Sequence, residues 1–498
     1  MAVRPRRPLP VPLSLLLLAL AGCGTELPDG EASLATGKAE SDIRIANSLP
    51  TDALVLNAIA TNAQANGWLA TRPLTQLFHP SYASLPENSY LRVQLRDPDA
   101  QEFMGYLVGC ALKSGQDLQY YDPLGAPPGP KFWRGSAGLC PQWAGAVPSQ
   151  ECLNRVSACI LARNNALGKR VELSIRGEIP SVPAAFPLEA VTRPSEHDPD
   201  TKAWLPSFQG CSLAATGAAR DCGWQADAIG ACTPGSTVWV GAGGQTSCPG
   251  STLGSTSSPG ARMVLRVCSG TVGCDHLDSR FLAKADSSCA GTAPAVSFTC
   301  PTNGYFSVMT APWDSQTSGS ASVAVGPSTS ARYRLSELEV FSMREGAFYG
   351  NIFDPRALAT QVEVRVVRVG EREAYEVVGD DAVIQGSIYR RMYSCYDPAW
   401  ADGSAYSTSR VCALPNSGAN CAASVVGPCW NAATPSLGKC ATQDGPILAG
   451  DGDFEQCRDP YGNVWREPVT VFLHEACGPV QNGEGTPACA RKRLDEKL

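Results

Sequence analysis

The chain has 498 residues, a formal net charge of −7 and few aromatics (7%), with 48 Gly and 39 Pro. An acidic balance of this size offers no electrostatic basis for binding nucleic acid. Length suggests two or three domains, and the Gly and Pro content favours short strands and many turns over long helices.

The first element is a leader. Arg4, Arg6 and Arg7 precede an apolar stretch from Val11 to Leu20. That stretch falls short of the roughly 20 residues a membrane-spanning helix needs. A basic head, a short apolar core and small residues mark a secretory signal. Leu20-Ala21-Gly22-Cys23 resembles the bacterial lipobox, which implies a signal over residues 1–22 and a lipid on Cys23. An ordinary signal cut after Ala21 or Gly22 is the plainer alternative. A lipid anchor holds through buried CH₂ groups at about 0.8 kcal/mol each. Residues 23–50 read as a flexible tether, small and acidic over 24–42. Gly24 follows the cysteine where an aspartate would signal retention in the inner membrane, so the expected address is the outer membrane, at its periplasmic face or the cell surface. No second apolar run approaches the length of a span.

Setting Cys23 aside, 20 of the 21 cysteines remain, an even number in an exported chain. That is the signature of disulfides. Zinc is the rival. It is disfavoured because the chain has no C-x-x-C and only four histidines: His79, His197, His276 and His474. The cysteines fall into three even groups. Cys110, Cys140, Cys152 and Cys159 come first; Cys211, Cys222, Cys232, Cys248, Cys268, Cys274, Cys289 and Cys300 follow. Cys395, Cys412, Cys421, Cys429, Cys440, Cys457, Cys477 and Cys489 close the series. Each group can close on itself, and connectivity stays open.

In chain order, Asn57, Asn62 and Asn66 hint at a short degenerate repeat. Residues 97–112 predict a helix capped by Asp99 with Glu102 three residues on. Residues 151–168 predict a second, with Cys152, Val156, Cys159, Ile160, Arg163 and Leu167 on one stripe and Gly168 as its stop. Cysteines on both buried faces suggest bridges that pin these helices. Over 171–177, Val171, Leu173 and Ile175 alternate with polar residues, the pattern of a half-buried strand.

From about 205 to 335 helical periodicity gives way to short alternating strands: 236–243, 261–270, 295–300 and 305–312. This predicts an antiparallel β-sandwich. The Thr233-Pro234-Gly235-Ser236 turn, the Leu265-Arg266-Val267 strand, the Asp286-Ser287-Ser288 turn and the Pro301-Thr302-Asn303-Gly304-Tyr305 approach to a last strand carry a resemblance. Together they resemble the pre-peptidase C-terminal type of β-sandwich found in secreted bacterial proteins. Met263-Val264 stands where that family carries an aspartate, so the resemblance implies a fold more than a ligand. Asp275, Asp278 and Asp286 lie near loops without a D-x-D-x-D run, which favours turn-forming roles over calcium.

Beyond the sandwich, residues 362–378 predict a hairpin turning near Gly370-Glu371, and 464–477 a closing strand. The stretches 138–143, 156–168, 173–177, 345–351 and 467–473 resemble an uncharacterised family of cysteine-rich exported proteins associated with myxobacteria. The resemblance implies a domain split by insertion: residues 51–190 and 336–498 around the sandwich of 205–335. Strand 171–177 should then lie near 469–473, and a bridge from the first four cysteines to the last eight would mark the split.

Catalytic motifs are missing: no G-x-S-x-G, H-E-x-x-H, Walker A loop or strand-linked G-x-G-x-x-G occurs. Asp451-Gly452-Asp453 with Asp459 is the best single metal candidate, though a polar turn explains it more simply. The expected fold class is α+β, mostly β: a disulfide-rich split domain with two short helices plus the inserted sandwich. The expected function is a lipid-anchored envelope protein, non-enzymatic, with no cofactor or metal. Its sandwich would bind an envelope protein or glycan, or serve structure alone. A secreted hydrolase with an unrecognised site is the alternative.

Overall fold

A computed structural model describes residues 49–165 (apart from 114 and 124–128), 173–179, 184–185, 217, 224–242, 262–271, 274, 281–288, 296–312, 323–325, 331–354, 363–369, 372–378, 389–398, 400, 411–413, 422–430, 438–441 and 450–473. The fold is α+β and mostly β, with several antiparallel sheets and eight α-helices among these residues.

More helices form than the two expected. They are α1 (Thr51–Leu56), α2 (Ala58–Thr61), α3 (Ala63–Thr71), α4 (Leu74–Phe78), α5 (Pro86–Gln94), α6 (Pro98–Ala111), α7 (Gln150–Ala162) and α8 (Glu337–Val340). The first five are short and set off from one another by caps and prolines. Asn57 caps α2 by accepting from Ala60 N–H, and Asn62 caps α3 by accepting from Gln64 and Ala65 N–H. Asn66 is buried and donates to the carbonyls of Ala60 and Ile352. The asparagine spacing is therefore a set of helix caps and a tertiary link, and not a repeat.

Helix α6 opens two residues earlier than expected. Asp97, not Asp99, accepts from the Asp99 N–H, because Pro98 takes the first helical position. Helix α7 is capped by Ser149 and ends at Ala162, before Gly168, since Asn164–Asn165 pair in parallel with Leu49–Pro50. Two bridges tie this region. Cys110–Cys159 joins α6 to α7, and Cys140–Cys152 fixes the start of α7 (Cα separations 5.9 and 5.4 Å). All four cysteines of the first group are thus bonded within it, so none reaches the last eight.

The link between the outer stretches is a sheet instead. Its strand order is Ser424–Pro428, Met392–Tyr396, Met343–Gly350, Val469–Leu473, Leu173–Arg176. Leu473 pairs with Leu173 and Thr470 with Arg176, antiparallel. Gly350, at φ 131°, lies against its neighbour strand so closely that a Cβ would sit 2.0 Å from Arg391 O.

Strand 173–176 is buried on both faces, not one. One side of the sheet joins the core of α6 and α7 through Leu173, Ile175, Val469 and Val471. The other side is covered by the loop at Asp451 and by α8, so Ser174 and Arg176 are interior as well. The expected closing strand is two shorter ones, Val464–Trp465 and Val469–Leu473. The hairpin forms with strands Glu363–Val369 and Arg372–Val378.

The sandwich has a five-stranded sheet in the order Phe281–Ser288, Arg262–Ser269, Tyr305–Pro312, Gln225–Cys232, Ala331–Tyr333. Facing it is a three-stranded sheet in the order Val296–Thr299, Thr237–Ala242, Val323–Val325. All of these pairings are antiparallel. Val238, Val240, Leu265, Val267, Phe298, Phe306 and Val308 form the core between them. Gly230 makes room there for Phe306, whose ring would meet an added Cβ at 2.2 Å. Cys232–Cys300 bridges the two sheets, and Cys268–Cys274 closes a short loop. The Thr233–Ser236 turn forms with Gly235 at φ 83°. Asp286-Ser287-Ser288, expected as a turn, instead belongs to the strand that pairs with Arg262–Val264. The back of the five-stranded sheet meets the outer segments: Ile229 packs with Leu335, Val340, Phe341 and Phe472.

Candidate functional site

The most distinct accessible feature is the outer face of the three-stranded sheet. Strand alternation sends Val238 and Val240 into the core and Thr237 and Trp239 outward. Trp239 is 39% exposed. It pairs in register with Ser297; Thr237 pairs with Thr299, and Gly241 with Ala324. Ser297, Thr299 and Ala324 are exposed too. The result is one indole on a level field of small and hydroxyl-bearing side chains, with no charge in those registers. Such a surface offers an apolar plate bordered by hydrogen-bonding groups. A solvent-facing Trp is a common binding anchor because it buries a large area at small cost in side-chain freedom.

The second candidate is interior. The Asp451–Phe454 loop lies across strand Val469–Leu473 and is held by two arginines. Arg176 Nη1 donates to Asp451 O (2.6 Å), and its guanidinium stacks on Phe472 at 3.6 Å. Arg344 Nη1 donates to Gly452 O (3.0 Å), and its guanidinium stacks on Phe454 at 4.3 Å. Arg176 also donates to Phe341 O, and Ser174 donates to Glu337 (2.6 Å). Asp453 is 2% exposed, with its carboxyl beside that of Asp451. Burial, with the nearby charges of Asp451 and Glu455, pushes its carboxyl up to about 8. Burial thus favours its protonated form.

This arrangement counts against a cation in the Asp451–Asp453 stretch. Its carbonyls already serve guanidinium groups, and among the described residues no three carboxylates bring their oxygens within 4.8 Å of one another. Asp459 caps its own turn, accepting from the N–H groups of Tyr461 and Asn463 (both 2.9 Å) and from the Asn463 amide (2.8 Å).

Of the histidines, His79 is described. Its Nδ1 accepts from Ser81 N–H at 3.2 Å, a cap without a catalytic partner. His197, His276 and His474 lie outside the described residues, as do Cys23, the tether over 24–42, Asp275 and Asp278. Cys211, Cys222, Cys248, Cys289, Cys421, Cys477 and Cys489 also lie outside them. In the last cysteine group Cys395 bonds Cys429, and Cys440 bonds Cys457. Cys412 is buried, with Sγ 3.5 Å from Asn164 Oδ1. Altogether six bridges are described.

Sequence reasoning did not single out Trp239, although its strand was found; the signal was one aromatic at an outward position of an alternating strand. The arginine clamp carried no sequence signal, because its partners are main-chain carbonyls far along the chain. No family model, curated protein or solved structure matches the chain.

Proposed function

We propose that this is a lipid-anchored cell-envelope protein, non-enzymatic, whose β-sandwich binds an envelope glycan on the Trp239 face. In this reading Cys23 carries the lipid at the outer membrane, the tether spaces the fold from it, and the segments flanking 205–335 form one split domain that presents the sandwich. The observation that supports a glycan over a protein partner is the Trp239 face itself. A sugar ring has an apolar face that suits a single indole, and hydroxyls that suit Ser297, Thr237 and Thr299. A protein partner would ask for a larger buried core with several anchors.

The experiment is a binding panel of neutral and anionic envelope glycans against the purified, oxidised protein. Binding to neutral glycans that changes little with salt is expected, since the described registers of the face carry no charge. Absence of binding across the panel would overturn the glycan reading. The anchor is tested separately by the mass of the mature N-terminal peptide. It should begin at Cys23 and carry acyl chains; a start beyond Cys23, or no acyl mass, would refute it.

A further inference from the structure

We propose that Cys395, Cys429, Cys440 and Cys457 form a thiol-exchange site, which takes two electrons from an incoming dithiol through the half-buried Cys440 and rearranges to a Cys395–Cys440 bridge with thiols on Cys457 and Cys429. Backbone pairing brings the four together. Cys395 lies in strand Met392–Tyr396, and Cys429 N–H donates to Tyr396 O (2.8 Å). Cys440 N–H donates to Cys429 O (2.7 Å), and Cys440 pairs across an isolated antiparallel bridge with Cys457. The sulfurs therefore converge: Cys395 Sγ and Cys440 Sγ, from different bridges, are 3.2 Å apart. Cys395, Cys429 and Cys440 form the one group of three such atoms within 4.8 Å among the described residues.

The exposures set the direction. Cys395, Cys429 and Cys457 are buried among Tyr349, Tyr393 and Phe454, whereas Cys440 is half-buried. Apolar surroundings disfavour thiolates, so a bridge of this kind waits for an external nucleophile.

The steps balance. One thiolate of the dithiol attacks Cys440 Sγ, forming a mixed disulfide and releasing Cys457 as thiolate, which takes up a proton. The second thiol of the reagent then attacks its own linked sulfur. It leaves as a cyclic disulfide, oxidised by two electrons, and frees Cys440 as thiolate. That thiolate lies 3.2 Å from Cys395 Sγ and, once freed from Cys457, attacks after its side chain rotates into line with the Cys395–Cys429 bond. Attack forms Cys395–Cys440, breaks Cys395–Cys429 and releases Cys429 as thiolate, with no further reductant. The exchange unties the end of strand Ser424–Pro428 from Met392–Tyr396, because Cys429 directly follows the former.

Two variants test it from opposite sides. Cys457→Ser leaves a thiol at Cys440; Cys429→Ser leaves one at Cys395. Each protein is oxidised, quenched in acid, alkylated and mapped by mass spectrometry. Both should converge on a Cys395–Cys440 bridge, with the alkyl label moved to Cys429 in the first and Cys457 in the second. A label that stays on Cys440 or Cys395, beside an intact neighbouring bridge, would overturn the proposal. Should the variants not fold, the wild-type protein is treated with limiting dithiothreitol. A Cys395–Cys440 cross-link in the half-reduced species is expected, and native bridges alone would overturn it.

Discussion

The two five-stranded sheets of this protein solve the same problem in opposite ways. The sandwich sheet faces an apolar core built from Leu265, Val267, Phe306 and Val308, and it needs no buried charge there. The sheet shared by residues 173–176 and 469–473 is covered on both sides, and Ser174, Arg176, Glu345, Ser394 and Thr470 are all buried in it. Several of these side chains are tolerated because they are matched: Arg176 to two carbonyls, Ser174 to Glu337, Thr470 Oγ1 to the Phe454 N–H (2.8 Å). Hydrophobic burial is non-directional, whereas these contacts demand particular partners. The outer sheet is thus the more specific and the more brittle of the two.

The sharpest break in that comparison is Arg176→Ala. It leaves the carbonyls of Asp451 and Phe341 without their donor and Glu337 without a nearby cation. Loss of about 3–5 kcal/mol is expected, read as a shift in the denaturant midpoint. Replacing both Cys232 and Cys300 by Ser tests the sandwich, whose sheets that bridge spans over 68 residues. Chain-entropy reasoning predicts a loss of about 4 kcal/mol. The inter-sheet core should remain, so the near-ultraviolet signal of the folded state should persist.

Asp453 makes the outer region sensitive to pH. Its folded value of about 8 stands above the usual 3.8, so the folded chain holds a proton that the unfolded chain releases. Stability should therefore fall as pH rises from about 4 to about 8 and level off beyond. Asp453→Asn should remove that slope and stabilise the protein at pH 8 by a few kcal/mol. Each tenfold difference in proton affinity between the folded and unfolded chains is worth about 1.4 kcal/mol, less what relaxation recovers. Thermal melts at pH 5 and pH 8 read the difference. An equal effect at both values would contradict the burial of an ionisable Asp453. The smallest stability effect belongs to Trp239→Ala on the open face, within about 0.5 kcal/mol.

Four of the sandwich's eight described strands were legible in the sequence because they alternate over a one-sided core, and alternation is what a period-2 pattern reports. Strands Thr237–Ala242, Arg262–Ser269, Val296–Thr299 and Tyr305–Pro312 all fall where the alternation places them. The outer region was less legible for three physical reasons. Helices α1 to α5 run only 4–9 residues, too short for a 3.6-residue period to stand out. Asn57 and Asn62 are caps of two of them, yet with Asn66 they read in sequence as a short degenerate repeat. Strand 173–176 alternates in sequence and is buried throughout, because its polar side chains find partners 163 to 275 residues away in the chain. The cysteine groups show the same limit: parity was readable, but which sulfurs meet was not. The Trp239 face was half legible, its strand from the pattern and its setting only from the register with Ser297 and Ala324.

The central claim is that Trp239 anchors a neutral glycan on the sandwich. Titration calorimetry with a glycan drawn from the binding panel measures it directly, comparing wild type, Trp239→Phe and Trp239→Ala. Loss of an aromatic anchor should weaken binding at least about tenfold in the alanine variant, with the phenylalanine variant in between. Equal affinity in all three proteins would place the glycan elsewhere and contradict the account.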